Sequence, residues 1–126
     1  MSDDKKLFQD FINTLKKFEE SLSTPANSDR EKAGCIQFFE FCFELAWKTI
    51  KAYAEKEGLE APSPKVALKA GFQLNLIKNE TVWLDMLIAR NLMAHTYDES
   101  KSLEVFNSLN CFLNEFNDFQ SNYQSS

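Results

Sequence analysis

The longest helical segment of the chain covers residues 28–58 and reads SDREKAGCIQFFEFCFELAWKTIKAYAEKEG. It opens on Ser28 with Glu31 three residues later, which is the spacing of a capping box, and it closes on Gly58, a common residue after a helix end. Its polar residues fall within about 80° of one another on a helical wheel, and the rest of its surface is apolar or aromatic. Such a helix needs cover from other helices on most of its sides. The polar residues are Gln37, Glu40, Glu44, Lys48, Lys51 and Glu55.

Three further long segments show the apolar periodicity of helices, and a short one lies among them. The short one belongs to a connector, residues 60–79, where Ser63 can cap a helix that begins at Pro64 and that Gly71 then interrupts. We therefore predict an all-α fold, an up-and-down four-helix bundle with a short extra helix between helices 2 and 3, in one domain covering residues 1–126. The long segments run from about 3 to 23, 80 to 96 and 100 to 122.

The composition limits the partners and compartments that suit the chain. A net charge of −5 argues against a broad nucleic-acid-binding surface, which needs clustered Lys and Arg, but it allows a local basic site. No apolar run is long enough to span a membrane, and residues 1–6 are too polar for a secretory signal. Cys35, Cys42 and Cys111 form no disulfide or zinc-binding pattern, so we expect buried free thiols in a cytoplasmic protein.

The second and third long helices are apolar over more surface than one bundle contact can cover. In the third, only Asp85, Ala89 and Thr96 define a thin side that faces water. A monomeric bundle would leave part of this apolar surface exposed to solvent, and contiguous exposed apolar patches usually mark interfaces. We therefore predict a homodimer in which these two helices supply much of the contact.

The third long helix ends in a polar cluster within Arg90-Asn91-Leu92-Met93-Ala94-His95-Thr96-Tyr97. Asn91 and His95 are four residues apart and share one helix face. Arg90 and Tyr97, seven apart, share a direction about 100° away. Polar side chains on a helix with so little solvent-facing surface need partners or a function, and these four residues are the candidate site.

Structural interpretations of this cluster stay open beside a functional one. The helix dipole favours a histidine near a helix C-terminus, so capping alone explains His95. Arg90 can form an ion pair at an interface with Glu40 or Glu44, which otherwise belong to the solvated face of the second helix. We expect no metal site, because the chain has one His and no suitable Cys spacing, and its sequence contains no glycine-rich phosphate loop.

The cluster resembles the Arg-x4-His-x-Tyr signature of HEPN-superfamily proteins of the HepT type, which are also described as nucleotidyltransferase substrate-binding proteins. The matching residues are Arg90, Asn91, Ala94, His95, Tyr97 and Asp98. Other blocks are similar to the same family in order and spacing, and the resemblance covers about residues 5–120. These blocks are residues 39–48 (FEFCFELAWK), Ser63-Pro64 followed by Ala70-Gly71-Phe72, and Trp83-Leu84 with Met86-Leu87.

This resemblance implies a function and a role for each site residue. It implies a dimeric toxin that cleaves RNA without a metal or other cofactor, with the motifs of two protomers near one cleft. The implied partner is a minimal nucleotidyltransferase, the antitoxin, which transfers AMP to the motif tyrosine, here Tyr97. His95 would serve as general acid or base, and Arg90 would stabilise the transition state at phosphorus. Asn91 would orient His95 or the scissile phosphate.

An alternative from another class of function stays open. The family's substrate-binding description implies a non-catalytic subunit that holds a nucleotide or another substrate for a nucleotidyltransferase. Arg90 and His95 would then bind phosphate without cleaving RNA, and the Phe- and Trp-rich surfaces would hold a base or the partner. A bundle that only mediates assembly is a third interpretation.

Overall fold

A computed structural model describes residues 3–95 and 98–126, and in these residues it contains α-helices and no β-strand. Helices α1, α2, α4 and α5 pack as a four-helix bundle, and the short α3 lies against α2 and α4. The predicted all-α bundle with a short extra helix is therefore confirmed. Within the described ranges, no helix combines the length and the apolar character needed to cross a bilayer. The helices are α1 (Asp3–Leu22), α2 (Asp29–Lys56), α3 (Pro64–Gln73), α4 (Glu80–His95) and α5 (Glu99–Gln124).

Short polar side chains and one glycine set the helix ends at the positions expected from the sequence. The Ser28 hydroxyl accepts a hydrogen bond from the backbone N–H of Glu31 at 3.1 Å, and the Ser63 hydroxyl accepts one from Val66 at 3.4 Å. After α2, Gly58 has a φ of 88°, the left-handed conformation that favours glycine. These caps satisfy backbone groups that a helix end leaves without a partner, so the chain can turn there at little cost.

Gly71 lies inside α3, and the prediction that it interrupts this helix is wrong. A Cβ at this position would lie 3.1 Å from the side chain of Ile77 and 3.2 Å from that of Ile50. The missing side chain lets α3 approach α2 closely over the buried Ile50. Tight packing therefore explains this glycine, and the helix continues through it.

Aromatic side chains fill the core between the long helices. Phe39 of α2 stacks on Phe112 of α5, with ring centroids 4.9 Å apart. Trp83 of α4 is fully buried and packs edge to face with Phe116 of α5 at 5.7 Å. This burial fixes the rotation of α4 in the bundle. Arg90 follows seven residues later, about two turns on, and so projects from the same side of α4 as the tryptophan.

The water-facing side of α4 differs from the predicted one. Ala89, predicted to face water, is buried beside Phe112 of α5, whereas its neighbour Ile88 is 64% exposed. The rotation of α4 that buries Trp83 and Met86 also turns Ala89 toward the core and Ile88 toward water. Asp85 is exposed as predicted, and Thr96 lies outside the described residues.

The cysteines are free thiols, as predicted, but they are not all buried. Cys35 and Cys42 lie in the core, and burial raises the pKa of the Cys42 thiol to about 12. Cys111 is exposed on α5, so the prediction of burial is wrong for this residue. An amphipathic helix presents only one stripe to the core, and Cys111 falls outside that of α5.

Candidate active site on helices α2 and α4

The guanidinium of Arg90 lies between α4 and α2, where it forms an ion pair with the carboxylate of Glu44. Its Nη2 donates a hydrogen bond to Oε2 of Glu44 at 3.2 Å and is also in close contact with Oε1. Both side chains are 29% exposed, so the pair is partly shielded from water and still accessible to a ligand. Of the two partners that the sequence offers, Glu40 and Glu44, the structure pairs Arg90 with Glu44, and the pair lies within one chain instead of at an interface. The prediction of a solvated Glu44 is wrong.

Trp47 also binds the Glu44 carboxylate. Its indole Nε1 donates a hydrogen bond to Oε2 of Glu44 at 2.8 Å, from a position three residues further along α2. A partly buried indole N–H needs an acceptor, and the carboxylate supplies one. This role of Trp47 was missed at the level of sequence, although a spacing of three residues places two side chains next to each other on a helix. Glu44 therefore accepts hydrogen bonds both from Trp47 on its own helix, α2, and from Arg90 on α4.

A second carboxylate, that of Glu40, lies one turn before Glu44 and is partly buried. Burial raises the pKa of Glu40, the negative charge of Glu44 raises it further, and the Arg90 guanidinium lowers it. Glu40 is therefore not a fully solvated carboxylate either. The Arg90 guanidinium attracts both the Glu44 and the Glu40 carboxylates. Its position therefore sets the electrostatic energy of these three groups together.

Asn91 and His95 are exposed on the part of α4 that follows Arg90. The Oδ1 of Asn91 accepts a hydrogen bond from Nη1 of Arg90 at 3.1 Å, so the structure brings Asn91 to Arg90 instead of to His95. His95 ends α4, and its imidazole forms no hydrogen bond with another described residue. Tyr97 lies outside the described residues, so its predicted alignment with Arg90 stays a prediction.

This arrangement suits the binding of an anion, in particular a phosphate. Arg90 is permanently charged and presents a fork of N–H donors, and Glu44 and Asn91 engage only part of this fork. Its partial exposure allows a phosphate oxygen to approach. His95 supplies an exposed imidazole, which has both a donor and an acceptor nitrogen. Among the described residues, no group of three His, Cys, Asp or Glu side chains is placed to hold a metal ion.

Comparison with known proteins identifies the family. A family model described as nucleotidyltransferase substrate binding protein like matches residues 6–125. The chain belongs to this family. Among curated proteins, the chain is 32% identical over 88 residues to the Probable ribonuclease HepT of Haemophilus influenzae. That alignment covers 66% of the chain and only 60% of the relative's length. The predicted membership of the nucleotidyltransferase substrate-binding family is confirmed, and the chain is similar to a probable ribonuclease of the HepT type.

Two solved structures have the same fold as this chain. A protein from Thermus thermophilus matches with a TM-score of 0.79 and 31% identity, over 88% of this chain and 96% of that one. A Haemophilus influenzae protein, described as revealing the fold of a substrate binding domain of a nucleotidyltransferase, matches with a TM-score of 0.70 and 24% identity. The second match covers 96% of each chain, so the likeness of fold includes α2 and α4.

Proposed function

We propose that this chain is a HepT-like toxin, a metal-independent ribonuclease that a partner, a minimal nucleotidyltransferase, silences by transferring AMP to Tyr97. The observation that carries the proposal is the pairing of Arg90 with Glu44, which fixes a partly exposed cation five residues before an exposed histidine. A fixed cation and a nearby proton-transfer group are what phosphodiester cleavage needs. Similarity to a probable ribonuclease over 88 residues supports the same chemistry.

Cleavage of RNA needs no metal because the substrate carries its own nucleophile. The ribose 2′-hydroxyl attacks the adjacent phosphorus, the bond to the 5′-oxygen breaks, and a 2′,3′-cyclic phosphate remains. His95 removes the proton from the 2′-hydroxyl or protonates the departing 5′-oxygen, and water or the His95 of a second protomer makes the other transfer. Arg90 stabilises the charge that develops on the non-bridging oxygens. Asn91, bonded to Arg90, helps to orient the phosphate.

The active form in this proposal is a homodimer. Phe41 of α2 is 48% exposed and Ile88 of α4 is 64% exposed, and they lie three residues before Glu44 and two before Arg90. Large apolar side chains exposed on both site-bearing helices are typical of an interface. Association through this surface would place two copies of the motif near one cleft.

Modification of Tyr97 suits this site chemically. The phenol oxygen attacks the α-phosphorus of ATP held by the partner, pyrophosphate leaves, and the phenol proton is released. The attached AMP adds bulk and negative charge two residues after His95, and this charge repels RNA phosphates. We place this reaction in the cytoplasm, where free thiols such as Cys35 and Cys42 stay reduced.

Expression of the chain without its partner tests the toxin function. Induction of the wild type alone is expected to arrest growth, and Arg90→Ala or His95→Ala is expected to relieve the arrest. The purified protein is expected to cleave RNA in the presence of a chelator and to leave cyclic phosphate ends. Harmless accumulation of folded wild-type protein that cleaves no RNA would refute the ribonuclease.

The second candidate is a non-catalytic subunit that holds a nucleotide for a nucleotidyltransferase. The substrate-binding description of the family favours it, as does the partial exposure of the Arg90 guanidinium, which suits phosphate binding without cleavage. Intact mass after incubation with the partner and ATP separates the two functions. A gain of AMP that Tyr97→Phe abolishes supports the toxin and its antitoxin. Nucleotide binding with neither a mass gain nor RNA cleavage supports the subunit.

A further inference from the structure

We infer that Glu44 is the positioning residue of this site: it fixes the guanidinium of Arg90 in place and at the same time weakens its affinity for a phosphate that has not yet reacted. The effect on catalysis rests on the proposed ribonuclease function. The fixing of Arg90 does not rest on it, because it follows from contacts in the structure alone.

The contacts of Glu44 come from two helices. Nη2 of Arg90 on α4 donates to Oε2 at 3.2 Å and lies close to Oε1, while Nε1 of Trp47 on α2 donates to Oε2 at 2.8 Å. Arg90 and Glu44 are separated by 46 residues in the chain, so their pairing is a tertiary contact and not a local helix pair. The rigid indole holds the carboxylate, and the carboxylate in turn holds the flexible arginine side chain.

The charge of Glu44 has a second consequence for ligands. A phosphate that approaches Arg90 must compete with a carboxylate already bound to the guanidinium, and the partly buried Glu40 adds a further negative charge one turn away. The ground-state affinity for RNA is therefore lowered. In the transition state more charge develops on the phosphate oxygens, and a cation already held in place stabilises it without reorganisation. Glu44 thus raises both kcat and KM.

Arginine-selective 15N labelling tests the fixing of Arg90 directly. The chain contains two arginines, Arg30 and Arg90, so the guanidinium signals of the two side chains can be resolved and Arg30 serves as an internal control. Exchange of the Arg90 Nη–H protons with water is expected to accelerate roughly tenfold in Glu44→Ala, as expected for the loss of the charge-assisted hydrogen bond from Nη2, and less in Glu44→Gln. Trp47→Phe should accelerate it as well. Unchanged Arg90 exchange in folded Glu44→Ala and Glu44→Gln proteins overturns the inference.

A matched control comes from the same helix. Glu55 pairs with Lys51 at 2.9 Å on α2, away from the Arg90 site, so Glu55→Gln also removes one paired carboxylate from the helix. This variant should leave the Arg90 signal and RNA cleavage as in the wild type. If Glu55→Gln accelerates hydrogen exchange at the Arg90 guanidinium as much as Glu44→Gln does, the cause is the change in the net charge of the protein. The specific role of Glu44 is then overturned.

RNA measurements test the second part of the inference. Glu44→Gln is expected to lower kcat roughly 10- to 100-fold while KM stays equal or falls. A 2′-O-methyl oligonucleotide, which cannot be cleaved, should bind Glu44→Gln several-fold more tightly than wild type, and this gain should vanish in the Arg90→Ala background. An equal gain with and without Arg90, or a kcat like that of the wild type, overturns the role of Glu44. A wild type that cleaves no RNA refutes the proposed ribonuclease, and arginine exchange then decides the inference alone.

Discussion

Tyr123, near the end of α5, donates a hydrogen bond of 2.5 Å to the carboxylate of Asp4, in the first turn of α1. Asp4 is only 2% exposed, and the ammonium group of Lys56, at the end of α2, lies 3.3 Å from the same oxygen. The ring of Tyr123 also stacks on Phe8, with centroids 4.1 Å apart. One buried carboxylate therefore joins the ends of three helices, at a distance from the Arg90 site.

The Tyr123→Phe variant should be less stable than the wild type by about 1–3 kcal/mol, because it leaves the buried Asp4 carboxylate without its hydroxyl donor. The free energy of unfolding in urea at neutral pH measures this loss. Tyr53→Phe is the matched control, because the ring of Tyr53 packs edge-on against Tyr123 but its hydroxyl does not bind Asp4. If the two variants lower the free energy of unfolding equally, the hydrogen bond between Tyr123 and Asp4 makes no specific contribution to stability.

The same contact predicts a dependence of stability on alkaline pH. Burial raises the pKa of Tyr123 above its ordinary value of 10, and the hydrogen bond to Asp4 raises it further. In the unfolded chain the phenol ionises near pH 10, whereas in the folded chain it keeps its proton. The unfolded state therefore binds fewer protons above about pH 10, and stability falls as the pH rises. Urea unfolding at pH 9 and pH 10.5 should show a smaller fall for Tyr123→Phe than for Tyr53→Phe.

The helical periodicity of the sequence predicts where the Arg90 site lies more reliably than it predicts the contacts within that site. The narrow polar stripe of α2, which can be read from a helical wheel, limits the candidate partners of Arg90 to Glu40 and Glu44. The hydrogen bond from Trp47 was missed, because the choice among nearby acceptors depends on distances that a wheel does not contain. Gly71 and Ala89 are misjudged for a related reason. The space around Gly71 is set by Ile50 and Ile77, and the burial of Ala89 is set by the rotation of α4 in the bundle, so both depend on segments packed together.

Arg90→Lys should be nearly as inactive as Arg90→Ala, although it keeps the positive charge. The guanidinium reaches Glu44 and Asn91 through two different nitrogen atoms, and a single ammonium group cannot reproduce this fork. A fall in kcat of about 100- to 1000-fold is expected, the size seen when one transition-state donor is removed. Arg30→Lys, an exposed substitution at the start of α2, is the control and should cleave RNA at the wild-type rate. Activity of Arg90→Lys close to wild type would show that charge alone suffices.

Glu40→Gln should stabilise the fold slightly at neutral pH and not at acidic pH. Burial and the negative charge of Glu44 raise the pKa of Glu40 above its ordinary 4.5, so the folded state is penalised when this carboxylate is ionised. The penalty is fully present above the raised pKa and disappears as the pH falls below about 4.5. Because the group is partly exposed, a gain of about 0.5 kcal/mol is expected. Thermal unfolding at pH 7 and pH 4 measures it, with Glu55→Gln, which breaks an ion pair, as the contrasting variant.

Ile88→Asp and Phe41→Asp should each convert the proposed homodimer into a monomer. The two apolar side chains are 64% and 48% exposed on the helices that carry Arg90 and Glu44, so a buried charge at either position would disfavour association. Val66→Asp is the control, because Val66 is 38% exposed but lies on α3, outside both site-bearing helices. Light scattering coupled to size-exclusion chromatography at micromolar concentration gives the mass of each variant.

A monomeric wild type would refute the dimer, while dimers of both Asp variants would mean that the chains associate through another surface. If monomeric variants also lose RNA cleavage but keep the Arg90–Glu44 pair, the missing component is the second protomer, because each chain's own cation is then still in place.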